Sequence, residues 1–382
     1  MTPVRFSRRA NAPSEQNRLS LARQQKLGRG ERLLDLTSSN PTTAGLSYPL
    51  EELSEVMRRA AAAPYRPEPF GLTSAREAAA RELGCSASDI ILTASTSEAY
   101  SFLFKLLCDA GDSILTPIPS YPLFDHLASL ESIELIQVPM EFHRRWEIDA
   151  GRVAQAIRTA TRAIIVVSPN NPTGSYVTGQ EQEDLARFGL PLISDEVFRA
   201  YALERPSPSI AREDLLTFTL SGLSKSAGLP HFKLAWIRVS GPPAEKEQAM
   251  RRLELIADSF LSVATPVQEA LPELLQIAPR IRTQILDRVR ANLRSLEEIF
   301  PPTGSTRVLP VEGGWSAVLR IPSMQTDENF ALRLLDEDGV VVQPGYFFDF
   351  TTDGHLVLSL LTAPDVLAEG ARAIKAKTAL SD

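Results

Sequence analysis

The 382-residue chain carries 40 basic against 47 acidic residues, a net charge of -7 that gives no support for nucleic-acid binding. Its 43% hydrophobic content can fill a large core, and its length allows two or three domains. Two cysteines offer no disulfide framework and point to a reducing, cytoplasmic setting; four scattered histidines make no metal-ligand spacing, and no apolar run reaches membrane-helix length.

The first thirty residues hold seven Arg or Lys and one acid, Glu15. A transit peptide has this composition, but a solvated arm, or one lying on a partner subunit, is the plainer reading. Residues 33–37 form a short strand candidate that runs into the turn Ser38-Ser39-Asn40-Pro41. A helix is predicted over 51–63 and stopped by Pro64; a Pro-rich loop follows over 65–71. A second helix is predicted over 73–83, with Gly84 as its stop.

A strand over 90–93 leads into Ala94-Ser95-Thr96-Ser97-Glu98, where Ser95 and Glu98 have capping-box spacing. Ala99, Phe102, Leu103, Leu106 and Leu107 fall on one face of the helix that follows, with Gly111 read as its end. Three hydroxyls where backbone N–H groups are free can hold phosphate, or simply cap the helix. The next strand, 113–116, precedes a stiff loop that presents Tyr121. Further strands are predicted over 133–138, 163–167, 191–194 and 215–220. They lead respectively to the next strand's loop, to Ser168-Pro169-Asn170-Asn171-Pro172-Thr173-Gly174, to Asp195-Glu196, and to Ser221-Gly222-Leu223-Ser224-Lys225-Ser226-Ala227-Gly228.

Lysine in a tight small-residue loop after a buried strand suits Schiff-base chemistry, because a crowded, desolvated site favours the nucleophilic free amine. Taken alone, Lys225 reads better as a surface lysine. Its company reverses that. Strands interleaved with helices indicate a mostly parallel sheet, whose ligand sits at the carboxyl ends of the strands. Ser95, Thr96, Ser97, Tyr121, Asn171, Asp195 and Lys225 all fall just after a strand. A strand over 233–239 follows. After Gly241-Pro242-Pro243 the chain turns helical, with one long helix expected over 281–300. It then alternates strands (315–321, 339–343, 356–360) with helices, as a smaller α+β domain would, with the boundary near residue 278.

The ordered set Asn-Pro-Thr-Gly, Asp-Glu-Val-Phe and Ser-Lys resembles the class I/II pyridoxal-phosphate aminotransferases of fold type I, over nearly the whole chain. The resemblance implies an α/β fold with a large, mostly parallel cofactor domain (49–278). It also implies a smaller α+β domain formed by 1–48, with the N-terminal arm, and 279–382. It implies pyridoxal 5′-phosphate, an amino donor and a keto acceptor as ligands, and a homodimer with shared active sites. Lys225 would form the internal aldimine and later move the substrate proton. Asp195 would face the pyridine nitrogen and keep it protonated. Asn171 would donate to the phenolic oxygen, and Tyr121 would stack on the ring. Ser95, Thr96 and Ser97 would cradle the phosphate, joined by Lys233 and by Tyr65 from the other subunit. Ser39 would lie near the substrate carboxylate, and Trp315 would line the substrate pocket. Each has an ordinary alternative: helix cap, turn residue, salt-bridged acid or core aromatic.

Three departures stand out. Lys233 and Gly222 stand where the family has a phosphate-binding Arg and Ser. Phe198 replaces a tyrosine, with Tyr201 as a candidate substitute donor. Val357 occupies the place of the arginine that clamps the substrate α-carboxylate, and no Arg or Lys occurs between Arg333 and Arg372. Arg199, Arg66 or Arg320 could replace it, or the donor could lack a free α-carboxylate. Transamination is the leading expectation. Elimination, decarboxylation or condensation with the same cofactor is the second. A cofactor-sensing regulator would need a DNA-binding helix-turn-helix, which the residues before the resemblance do not contain.

Overall fold

The computed structural model describes residues 4–10, 16–206 and 208–379. Seven strands form the central sheet, in the order Ile90–Thr93, Ala235–Ser240, Thr217–Gly222, Leu192–Asp195, Thr161–Val167, Ser113–Ile118, Glu134–Pro139. All run parallel except Ala235–Ser240, which is antiparallel to both neighbours. Ile90–Thr93, Ser113–Ile118, Leu192–Asp195 and Thr217–Gly222 are buried along their whole length, which is why they read as continuous apolar runs. Helices cover both faces. Thr96–Leu107, Phe124–Leu130 and Pro243–Asp258 enclose one core, with Phe102, Phe124, Phe218 and Leu253 inside it. Ala150–Ala156 and Gly179–Ala186 cover part of the other face, with Val153 and Leu185.

A four-stranded antiparallel sheet forms the smaller layer, in the order Arg307–Val308, Ser316–Arg320, His355–Ser359, Gln343–Pro344. Leu34–Asp35 pairs in parallel with Val340–Val341, so the N-terminal segment joins this layer. We propose the division into 49–278 and 1–48 with 279–382 on that basis: every strand of the central sheet lies in the first, and every strand of the smaller layer in the second. The division point falls inside one continuous helix, Thr265–Ile299, rather than at a helix start. Pro272 and Pro279 sit inside this helix. Its buried face, which includes Leu271, Leu274, Ile281 and Ile285, holds the helix across both prolines.

Two further expectations are corrected. The helix after Ser95 ends at Leu107, with Cys108 already extended; Gly111, at φ 94°, belongs to the turn before the next strand. The N-terminal arm forms a helix, Arg18–Gly28, that lies on its own chain. Arg18 donates to Glu328 (3.2 Å) and Asn329 (3.3 Å), and Lys26 donates to the Asp336 carbonyl (3.1 Å). Its basic side chains therefore face the acidic helix Asp327–Asp338. Glu15 lies outside the described residues.

The two layers meet tightly at Gly174. Its carbonyl accepts from the N–H groups of Glu312 (3.2 Å) and Gly313 (3.0 Å). Its φ is +71°, and a Cβ there would come within 2.6 Å of the Gly313 carbonyl oxygen. Gly174→Ala is expected to cost roughly 2 kcal/mol or more, from backbone strain and this backbone clash. The denaturation midpoint measures it. Gly179→Ala, whose Cβ meets nothing within 4 Å, should be near neutral.

Candidate active site

The carboxyl edge of the central sheet opens onto a cavity of about 470 Å³. Ser95, Thr96, Ser97, Tyr121, Asn171, Asp195 and Lys225 line it, each placed by the loop after a parallel strand. Lys233 also lines it for a complementary reason. It precedes the one antiparallel strand, so the start of that strand, not its end, reaches this edge. Ser39 and Trp315 complete the set from the smaller layer. Of the residues the resemblance assigns to cofactor or substrate, Tyr65 alone lies elsewhere. It is 70% exposed, beside Arg66 and Leu261 in a separate surface cleft.

Lys225 sits in the short helical turn Leu223–Ser226. Its carbonyl accepts from the Tyr201 hydroxyl (2.6 Å) and the Gly228 N–H (3.0 Å), which pins the backbone beneath it. Nζ lies 5.1 Å from the Trp315 ring centre and 5.8 Å from that of Phe198. Burial pushes the amine below its usual pKa, and the Asp195 charge opposes this. Tyr201 is therefore spent on the Lys225 backbone and does not supply the donor lost at Phe198, since its ring is fully buried.

Asp195 is buried, and burial pushes its carboxyl up to about 6. Two hydrogen bonds hold it: the Val197 N–H donates to Oδ1 (3.1 Å) and the Tyr100 hydroxyl to Oδ2 (2.9 Å). The Tyr100 ring packs edge-on against Phe124 (5.2 Å), which packs edge-on against Tyr121 (5.5 Å). The acid and the stacking tyrosine are thus braced by one aromatic row. Tyr100 escaped the sequence reading; its one available signal is a phenol one turn into a helix that starts at the site.

At the other end, Ser95 caps the helix Thr96–Leu107, its Oγ accepting from the Glu98 N–H (3.2 Å). Glu98 returns to the Ala94 N–H (2.7 Å), one residue earlier than a standard capping box. The Thr96 and Ser97 N–H groups have no intrahelical partner by position and stand at the positive end of the helix dipole. Lys233 faces the same cavity from a left-handed backbone, φ +50°. Gly222 has a packing reason: a Cβ there would come within 2.7 Å of the Ala235 Cα and 2.9 Å of the Leu234 carbonyl oxygen. A serine cannot stand in that place without moving the neighbouring strand.

The donor set fits pyridoxal phosphate. A buried carboxylate with no cation bound to it faces one part of the cavity and a desolvated amine faces another. Hydroxyls, free helix N–H groups and a second lysine provide for an anion. On the smaller-layer side the sequence reading missed Ser316, Gln343, Phe348 and Ser359. Ser316, Gln343 and Ser359 are isolated polar residues on short strands, and Phe348 ends the short helical turn Gly345–Phe348. Val357 does not reach the cavity. It is 1% exposed, packed with Met140, Trp146, Val318 and Phe348. None of the three candidate replacement cations lines the cavity. Arg199 pairs with Glu196 (3.4 Å), Arg66 with Glu269, and Arg320 bonds His355 (2.7 Å) in another cavity.

The sequence profile described as "Aminotransferase class I and II" matches residues 31–374. Glutamate-pyruvate aminotransferase AlaA of Haemophilus influenzae is 26% identical, over 89% of either chain. The alanine aminotransferase of Mycobacterium tuberculosis is 26% identical over 87% of this chain and 82% of its own. The solved alanine aminotransferase of Pyrococcus furiosus superposes with a TM-score of 0.87 at 22% identity, covering 98% of this chain and 100% of its own, a likeness of fold. A Thermus thermophilus aspartate aminotransferase mutant gives 0.83 at 25%, covering 97% and 99%.

The raised Asp195 pKa has a definite sign. The folded state binds a proton more tightly than the unfolded state between the ordinary carboxylate value and about 6, so stability falls as pH rises through that window. Without cofactor, Asp195→Asn should therefore melt higher than the parent at neutral pH, by roughly 2–3 kcal/mol at most, with the difference vanishing below about pH 4. The same variant should lose cofactor affinity. Melting curves against pH, with and without pyridoxal phosphate, test both.

Proposed function

Because the chain belongs to the class I and II aminotransferase family and is a pyridoxal-phosphate-dependent enzyme, we propose that Lys225 and Asp195 are its catalytic pair. We further propose that it moves an amino group between an amino donor and a 2-oxo acid or related carbonyl. The observation that carries this is the meeting of a half-buried, pKa-lowered lysine with a buried acid in a cavity also lined by Ser95, Thr96, Ser97 and Lys233. Ser95, Thr96, Ser97 and Lys233 would hold the phosphate. Tyr121 would lie against the ring, Asn171 would donate to its oxygen, and Asp195 would face its nitrogen. Bound there, the cofactor supplies an electron sink beside the carbon that exchanges its amino group. Lys225 Nζ, whose pKa burial lowers, would take the proton from the donor's α-carbon and return it on the other side of the exchange. Phe198 and Trp315 wall that amine off from water.

A homodimer in the cytoplasm is part of the proposal. Tyr65 is exposed, as are Leu255 (72%), Phe260 (50%) and Leu261 (37%). These form an apolar surface of the kind a second copy covers, from which Tyr65 would reach the partner's phosphate. Cys85 and Cys108 are both free. No described helix is long and apolar enough to cross a membrane.

The relatives' names point to alanine and 2-oxo acids as first substrates to try. Against the donor, this cavity sets Ser39, Ser316, Gln343 and Ser359, with Lys225 and Lys233 its only described cations. A charged clamp distinguishes a carboxylate from an amide by about 1.5–3 kcal/mol, or roughly 10–150-fold. Neutral donors do not. Alanine and alaninamide should therefore differ in kcat/KM by less than about threefold, and a hundredfold preference for alanine would refute the neutral-end assignment. The basic reading has its own test. The visible band of the cofactor-loaded protein should fade on adding a donor and return with a 2-oxo acid. Borohydride should fix the cofactor on the peptide that contains Lys225. Lys225→Ala should do neither; a cofactor fixed on a different peptide would overturn the assignment.

A further inference from the structure

His355, Val357 and Ser359 project from one face of their strand, because side chains alternate. They end in three different places. Ser359 lines the cofactor cavity, Val357 packs in the apolar cluster, and His355 lines a second cavity of about 360 Å³. The neighbouring strand repeats the series in register: Ser316 opposite Ser359, Val318 opposite Val357, Arg320 opposite His355. At about 3.3 Å per residue the second cavity lies roughly 13 Å along the sheet from Ser359. The packed Val318–Val357 pair stands between.

Arg307 lies opposite Arg320 across the strand pair, and both line this second cavity. Like charges directly opposite on antiparallel strands destabilise the pairing. Neither arginine has a carboxylate within ion-pair distance among the described residues, although most of the other surface arginines do. The nearby Asp353 accepts instead from the Asp327 N–H (3.0 Å).

Arg320 is held in place. Its Nη1 donates to His355 Nε2 (2.7 Å). Arginine has no acceptor, so Nε2 carries no proton, and Nδ1–H donates to the Thr352 carbonyl (3.0 Å). The imidazole is thereby fixed as a neutral acceptor that aims the guanidinium, and burial keeps it neutral by pushing its pKa down to about 4. The Phe350 ring stacks on it at 4.4 Å. Phe142 and Trp146, 5.3 Å apart, form an aromatic wall to the same cavity.

We propose that this second cavity is an anion site for a small organic carboxylate or phosphate ester, with Arg307 and Arg320 holding the anion and Phe142 and Trp146 holding its apolar body. Its volume falls in the range of small-ligand pockets, and its paired forks match planar or tetrahedral oxyanions. The occupied site would also relieve the repulsion between the two arginines.

The test uses the cofactor-loaded enzyme titrated with 3-phenylpropionate, phenyl phosphate and inorganic phosphate, followed by calorimetry and tryptophan fluorescence. At least one of the two organic anions should bind, and the tighter of them identifies the head group. Arg307→Ala and Arg320→Ala should each weaken binding by about tenfold or more. Without anion, Arg307→Ala should melt no lower than the parent, because it removes a repulsion; with anion, the parent alone should gain stability. Trp146→Phe should abolish the fluorescence change while binding heat remains. Unchanged affinity in both arginine variants would overturn the proposal, as would no binding of any probe up to about 10 mM. Affinity lost in Lys233→Ala but kept in Arg307→Ala and Arg320→Ala would place the anion in the main cavity and overturn it equally. Inorganic phosphate binding as tightly as phenyl phosphate would remove the role of the aromatic wall.

Discussion

A buried carboxylate and a half-buried amine face one cavity, and no ion pair among the described residues joins them. Most of the local architecture follows from that constraint. Buried charges ordinarily pair or neutralise. Here each is instead held apart by neutral partners. Asp195 has a phenol and a backbone N–H. Lys225 has two aromatic rings near its Nζ and two hydrogen bonds on its carbonyl, none on its amine. The consequence is an acid pushed up and an amine pushed down. A cofactor with a cationic ring nitrogen and a carbonyl would answer both at once.

The sheet is the means of holding the two groups apart. Asp195 and Lys225 leave adjacent parallel strands, paired Asp195 to Leu220, so their separation is set by backbone register rather than by side-chain contact. The antiparallel strand beside them reverses the chain just where a cation is needed at the edge, which places Lys233 on the cavity. Its left-handed backbone is a conformation a non-glycine residue holds only where its surroundings fix it.

This explains what was legible in the sequence. Strands buried on both faces read as apolar runs, and the residue after each run falls at the ligand edge whatever its side chain does. Ser95, Tyr121, Asn171, Asp195 and Lys225 could therefore be found without any contact being known. Contacts across the chain leave no such trace. Tyr100 reaches Asp195 from a helix 95 residues earlier in the chain. Tyr201 stood one turn from Phe198 and looked available, yet its hydroxyl goes to the Lys225 carbonyl. The helix expected over 281–300 begins at Thr265, because its buried face carries it through Pro272 and Pro279. In each case a tertiary partner decided against a sound local rule.

Val357 shows why the missing arginine is more than a single exchange. The position looks inward onto Met140, Trp146, Val318 and Phe348, all nearly fully buried. An arginine placed there would bury an unpaired cation among aromatic and aliphatic groups, at a cost of several kcal/mol. The wall has been rebuilt as apolar core, and Phe348 now closes the cavity where a charged side chain would have entered. The cluster has a second consequence, because it occupies the middle of a sheet face whose two ends are polar. Ser316 and Ser359 open one end to the cofactor cavity; Arg320 and His355 open the other to solvent. Removing the cation from the centre of that face separates the two ends with a dry core. Arg307 and Arg320, the cations of this sheet, thereby stand at its far end, away from the cavity that Lys225 lines.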